Sequence, residues 1–166
     1  SALEFTRAGT ARYLNALVER LRGDPEVELV EYTKGGESRS AKLRRDLQWY
    51  PQLARRAAAD GVDLLHCPTH RAPVNSPVPL VVTVHDLAVL RHPRTFNAWT
   101  RRYTTMTLPR ITRSADHLIA VSRFTRDELV QHLSVPAAQI TVIENGVGPP
   151  FEPWGDHARG RYVLAV

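Results

Sequence analysis

His85 closes the apolar run Leu80-Val81-Val82-Thr83-Val84, and Asp86 follows it at once. An imidazole at the end of a buried strand can donate or accept a hydrogen bond near neutral pH, and α/β sheets present ligand-binding groups at such ends. A satisfied histidine at a strand end is the plainer reading. Asp86 has three roles open to it: orienting the imidazole, capping the next segment, or meeting a ligand hydroxyl. Gly9 stands just ahead of a helical stretch, whose first N–H groups lack internal partners and attract anions. Glycine there lets a phosphate approach the backbone, or merely permits a tight turn. Arg12, one turn on, adds charge to that site or is simply solvated. Ser122 and Arg123 follow a second apolar run, Leu118 to Val121. Serine suits a helix cap, and the guanidinium fork suits a phosphate or an acidic ligand. Asn145-Gly146 reads first as a turn. His66, Cys67 and His70 raise the question of a metal, but a strand puts His66 and Cys67 on opposite faces and no second ligand cluster follows. No metal site is expected. The glycine fingerprint G-x-G-x-x-G is missing, against a nicotinamide-binding domain.

The elements that must carry these residues alternate between short β-rich runs and amphipathic helical stretches, the pattern of a parallel sheet covered by helices. Strands are expected at Val27 to Tyr32, Val62 to Cys67, Leu80 to His85, His117 to Val121 and Ile140 to Ile143, the most apolar of them buried on both faces. Leu14, Leu17, Val18 and Leu21 share one face of a helix from about Thr10 to Arg22. Leu43, Leu47, Leu53 and Ala57 behave similarly, with Pro51 dividing that stretch and opening its second part. Trp99, Tyr103 and Met106 mark a third helix that Pro109 should kink or end. Phe124, Leu129, Val130 and Leu133 mark a fourth, capped either by Ser122 or through the capping-box form Thr125 to Glu128. The fold class is α/β, a Rossmann-like, doubly wound, mostly parallel sheet with helices on both faces.

The 166 residues, 43% hydrophobic and 23% charged, fit one folded domain and argue against wholesale disorder. No apolar run approaches the roughly 18 residues of a membrane span. A lone cysteine forms no internal disulfide, so a cytoplasmic location is the default. The net charge of +5 rests on arginine, since Lys34 and Lys42 are the only lysines among 22 basic residues. That balance favours anionic partners, but no nucleic-acid-binding signature accompanies it. The first strand is either lost before Ser1 or as short as Ala2 to Phe5. Gly148 to Pro153 reads as a linker, and Arg161 to Val166 opens a new apolar strand. Residues 1–155 are therefore assigned to one domain, and 156–166 to the linker and first strand of an absent second one.

Three ordered segments resemble glycosyltransferase family 4, retaining enzymes of the GT-B architecture. They are Pro79 to Leu87, Ala115 to Leu129, and Val135-Pro136 followed by Ile140 to Val147 and Phe151-Glu152-Pro153. Ala8 to Tyr13 is similar to the family's glycine loop, and Val62 to His66 to the strand that precedes its next loop. The resemblance implies two Rossmann-like domains facing a cleft, with a nucleoside-diphosphate sugar as donor and no separate cofactor. This chain would be the acceptor side, inactive without its own C-terminal domain. It further implies that Gly9 and Thr10 lie against the donor phosphates, that His85 reaches a hydroxyl of the donor sugar or the adjacent backbone in the cleft, and that Arg123, Asn145 and Gly146 sit near the donor. Asp86, Ser122 and Arg12 are then substrate-side candidates. The absence of an Asp-x-Asp pair fits a transferase without a bound divalent ion. The loop Pro68 to Pro79, with Arg71 and Asn75, would shape an acceptor pocket. Arg39 to Arg56 places Lys42, Arg44, Arg45, Arg55 and Arg56 beside Trp49 and Tyr50, which suits either peripheral contact with an anionic membrane or a solvated helix face. Two rivals share the α/β alternation: a nicotinamide-dependent oxidoreductase and a non-enzymatic, flavodoxin-like module.

Overall fold

The computed structural model describes residues 9–33, 38 and 44–147. Helix α1 (Gly9–Arg22) comes first, then a π-helical turn (Arg45–Trp49) that runs directly into α2 (Tyr50–Ala59). Strand β1 (Leu65–Cys67) and strand β2 (Leu80–Val84) follow, then the short α3 (Ala88–Arg91), the long α4 (Ala98–Ser114), β3 (His117–Ala120), α5 (Arg123–Leu133) and β4 (Ile140–Val142). The four strands stand in the order β1-β2-β3-β4, all parallel. Local chemistry sets the ends. Gly61, at φ 72°, terminates α2 in a Schellman arrangement, with its N–H on the Ala58 carbonyl and the Val62 N–H on that of Ala57.

Alternation along the strands gives the sheet two unlike faces. On one, Leu65, Cys67, Leu80, Val82, Val84, Leu118, Ala120 and Ile140 are buried and pack with Trp49, Leu53 and Ala57 of the π-turn and α2, Leu108 and Ile111 of α4, and Leu129 of α5. The other presents His66, Val81, Thr83, His117, Ile119 and Thr141, as the strand register requires. There Tyr13 brings α1 against Thr83, so helices lie on both faces and the Rossmann-like α/β class holds. The expectation of strands buried on both sides is corrected: Val81 and Ile119 are only half-buried.

Other expectations change too. Val27 to Tyr32 is not a strand; its β-formers Val27, Val30 and Tyr32 suit one, but strands need a partner, and among the described residues none pairs with it. Val27 and Val30 stay exposed. Ala2 to Phe5, Leu43, and everything from Gly148 onward lie outside the described residues. Strand β1 begins only at Leu65, with Leu64 exposed. The remaining three strands each stop one residue short of their expected ends. Pro51 does open α2, yet Leu47 faces solvent while Trp49 takes the buried position.

Pro109 does not end α4, which continues to Ser114. An internal proline costs about 3 kcal/mol. Burial of Tyr103, Leu108 and Ile111, at about 1.5–3 kcal/mol for each large apolar side chain, outweighs it. Of the three residues expected to mark that helix's core face, only Tyr103 is buried; Trp99 and Met106 are exposed. On α5, Leu129 is buried whereas Phe124 and Val130 are not.

Candidate functional site

The strands are parallel, so the chain leaves β1, β2, β3 and β4 at one edge of the sheet, where Pro68, His85, Val121 and Ile143 begin the connections. His85 is the hub. Its Nε2 lies 3.0 Å from the Pro68 carbonyl oxygen, so this nitrogen donates. Its ring meets that of Tyr13 edge to face, with centroids 5.0 Å apart and planes at 85°. The Thr125 hydroxyl donates to the His85 carbonyl at 3.2 Å and lies 3.1 Å from the Ser122 hydroxyl. The α1 start, the end of β2 and the start of α5 therefore share one rim. Gly9 is four residues before Tyr13, about 6 Å along the helix axis.

Helix α5 begins here because Ser122 is extended (φ −160°) and its Oγ accepts from the Thr125 N–H at 3.1 Å. That settles the cap as Ser122. Asp86 is exposed and its Oδ1 accepts from the Ala88 N–H at 2.8 Å, an Asx-type bond to the first residue of α3, whose N-cap position is Leu87. Arg123 is exposed at the first position of α5, and Arg12 is exposed on α1. Gly9 is the first residue of the helix, and a Cβ there would meet no described atom within 4 Å. Thr10 follows it, half-buried. Asn145 and Gly146 continue beyond β4 as exposed irregular chain, not as a turn. They leave a strand two places from β2.

A polar chain runs behind the hub. Thr83 is fully buried; its Oγ1 is 2.9 Å from His66 Nε2 and 3.3 Å from the Tyr13 hydroxyl. Burial lowers the His66 pKa. His70 is pushed down to about 4, chiefly by burial, with Arg71 and His85 adding and Asp86 opposing. Burial raises the Cys67 thiol to about 12, making it an inert core group. His66 and Cys67 do face opposite sides, and the described residues contain no cluster of three or more potential metal ligands.

The loop Pro68 to Pro79 separates Arg71 from Asn75. Arg71 is committed to structure: it pairs with the buried carboxylate of Asp46 and lies over the Tyr103 ring, 5.2 Å from its centroid. Asp46 also accepts from Trp99 Nε1 at 2.9 Å, and its carbonyl accepts from the Tyr103 hydroxyl at 3.2 Å. Asn75 instead lines an open groove of about 660 Å³ with Tyr50, Ala72, Tyr103 and Thr107. In the basic stretch, Arg44, Arg55 and Arg56 are exposed, whereas Trp49 is buried under Arg56. Arg39 and Lys42 lie outside the described residues. No described helix is long and apolar enough to cross a membrane.

Sequence reasoning reached His85, Gly9 and Ser122 but missed Tyr13, Thr83, Thr125 and Asp46, which support them or the neighbouring loop. Only the alternation along Leu80 to His85, which puts Thr83 and His85 on one side, hinted at Thr83. A search of curated proteins returns no match. The family model for Glycosyltransferase Family 4 matches residues 7–149, spanning every described element of the sheet and its rim. The chain belongs to glycosyltransferase family 4.

Proposed function

We propose that the protein transfers a sugar, hexosyl in type, from a nucleoside-diphosphate sugar to an acceptor hydroxyl with retention of anomeric configuration. This chain forms the acceptor side of the cleft, and a C-terminal domain opening within 156–166 holds the nucleotide. The chain alone is inactive. Donor phosphates meet the start of α1 at Gly9 and Thr10, where free N–H groups and the helix dipole favour negative charge. That no described atom lies within 4 Å of a Cβ built on Gly9 supports that placement. Arg12 and Arg123 add positive charge, while Asn145 and Gly146 approach the donor from the end of β4. His85 orients the transferred sugar, and Asp86 and Ser122 border it. Catalysis rests on alignment and on stabilising the leaving diphosphate, with no metal required in the scheme.

One observation carries this reading: the linkage of Tyr13, His85 and Thr125 gathers the α1 start, the β2 end and the α5 start on a single rim. Replacing His85 by Ala in the full-length enzyme should depress turnover by about tenfold or more while leaving the fold intact by circular dichroism. Turnover near that of the parent would take His85 out of the site. The protein works at the cytoplasmic face of a membrane in the same reading, through Arg44, Arg55 and Arg56. With Trp49 in the core, that contact is electrostatic and should vanish at high salt in vesicle sedimentation.

A further inference from the structure

Neutral imidazole carries one proton, and the hydrogen bond at one nitrogen decides what remains at the other. A carbonyl oxygen can only accept, so the 3.0 Å approach of His85 Nε2 to Pro68 assigns the proton to Nε2. The ring is braced from a second direction by Tyr13, whose planes and centroid distance are those of a favourable aromatic pair. Tyr13 is itself anchored, because its hydroxyl reaches Thr83, which also meets His66. Thr83 of β2 and His85 just past its end stand two residues apart, and one tyrosine on α1 spans both.

We infer that Tyr13 is a positioning residue: with the Pro68 carbonyl it holds neutral His85 as the Nε2–H form, leaving Nδ1 as an acceptor only. In that neutral form the group that meets Nδ1 must be a hydrogen-bond donor. A sugar hydroxyl qualifies, and an ionised phosphate oxygen, which only accepts, does not. This last step rests on the proposed sugar-handling role of His85; the tautomer and its bracing by Tyr13 do not.

Nitrogen-15 spectroscopy of the 166-residue chain at pH 8, free of sugar and nucleotide, tests it. The expected spectrum has protonated-type Nε2 and bare-type Nδ1 shifts for His85, with a ring N–H that exchanges slowly enough to observe. Tyr13→Phe keeps the ring and should retain that signal. Tyr13→Leu should speed its exchange about two- to tenfold, the ratio that loss of one aromatic edge contact implies. A proton on Nδ1 in the parent protein, or unchanged exchange in Tyr13→Leu, overturns the inference. The parent spectrum needs no variant to fold. Because the readout is independent of transfer, an inactive His85→Ala enzyme and a wrong tautomer are separate results.

Discussion

The two faces of the sheet are built from the same strands and behave as different materials. On one, Leu80, Val82, Val84, Leu118 and Ala120 show no measurable exposure, packed by α2, α4 and α5. On the other, His66 meets Thr83, and His117 Nε2 meets Thr141 Oγ1 at 2.8 Å, so polar groups satisfy one another across neighbouring strands. The apolar face gains from area removed from water, which is non-directional and tolerant of small displacements. The polar face depends on directional bonds that must each be made, because a buried unpaired group costs as much as several good contacts gain. His85 continues the polar face at its carboxyl end. A side chain that must hold one orientation there is better served by hydrogen bonds than by a smooth hydrophobic wall.

Three measurements would break or sharpen this contrast. The largest effect is expected on the apolar face: Leu118→Ala should cost about 2–5 kcal/mol by chemical denaturation, because the fully buried side chain leaves a cavity under β3. A loss under 1 kcal/mol would mean that this face is not the core. Acid comes next. The folded pKa of His70 lies below its unfolded value, so the unfolded state takes up the proton first, and stability that is complete above about pH 6.5 falls as pH drops toward 4. His66, also lowered by burial, adds in the same direction. Unfolding at successive pH values should show that decline, and His70→Gln should flatten it; a decline of the same depth in the variant would acquit His70. The smallest effect is expected from Thr83→Val, which keeps shape but strips the hydroxyl from His66 and Tyr13. It should cost about 1–3 kcal/mol, and adding Tyr13→Phe should recover part of that by removing one orphaned group. Strict additivity of the two would show that no bond joins them.

Legibility differed element by element. Leu80 to Val84 and Leu118 to Val121 were readable because runs of five and four residues, nearly all β-formers, leave few alternatives, and the histidine and serine that follow them inherit the rim position. Val27 to Tyr32 carried an equally good local pattern and failed, since a strand is completed by its neighbour and not by its own residues. Pro109 and Trp99 failed for the converse reason. Packing of α4 against the sheet overrode a local breaker, and a buried carboxylate at Asp46 drew the indole away from the core.

The amino-acid order by itself determined the α/β alternation, the family and the identity of the strand-end histidine, because each is read from runs of the chain without knowing what they pack against; it left the cap of α5 open between Ser122 and Thr125, which the fold decided for Ser122. Tertiary structure alone decided which nitrogen of His85 bears the proton, that Tyr13 braces it, that Arg71 serves Asp46 while Asn75 faces the groove, and that one sheet face is polar and satisfied. These pairings join residues 17 to 72 positions apart, and no local preference of the chain specifies the direction of a hydrogen bond until folding has brought both partners to one place.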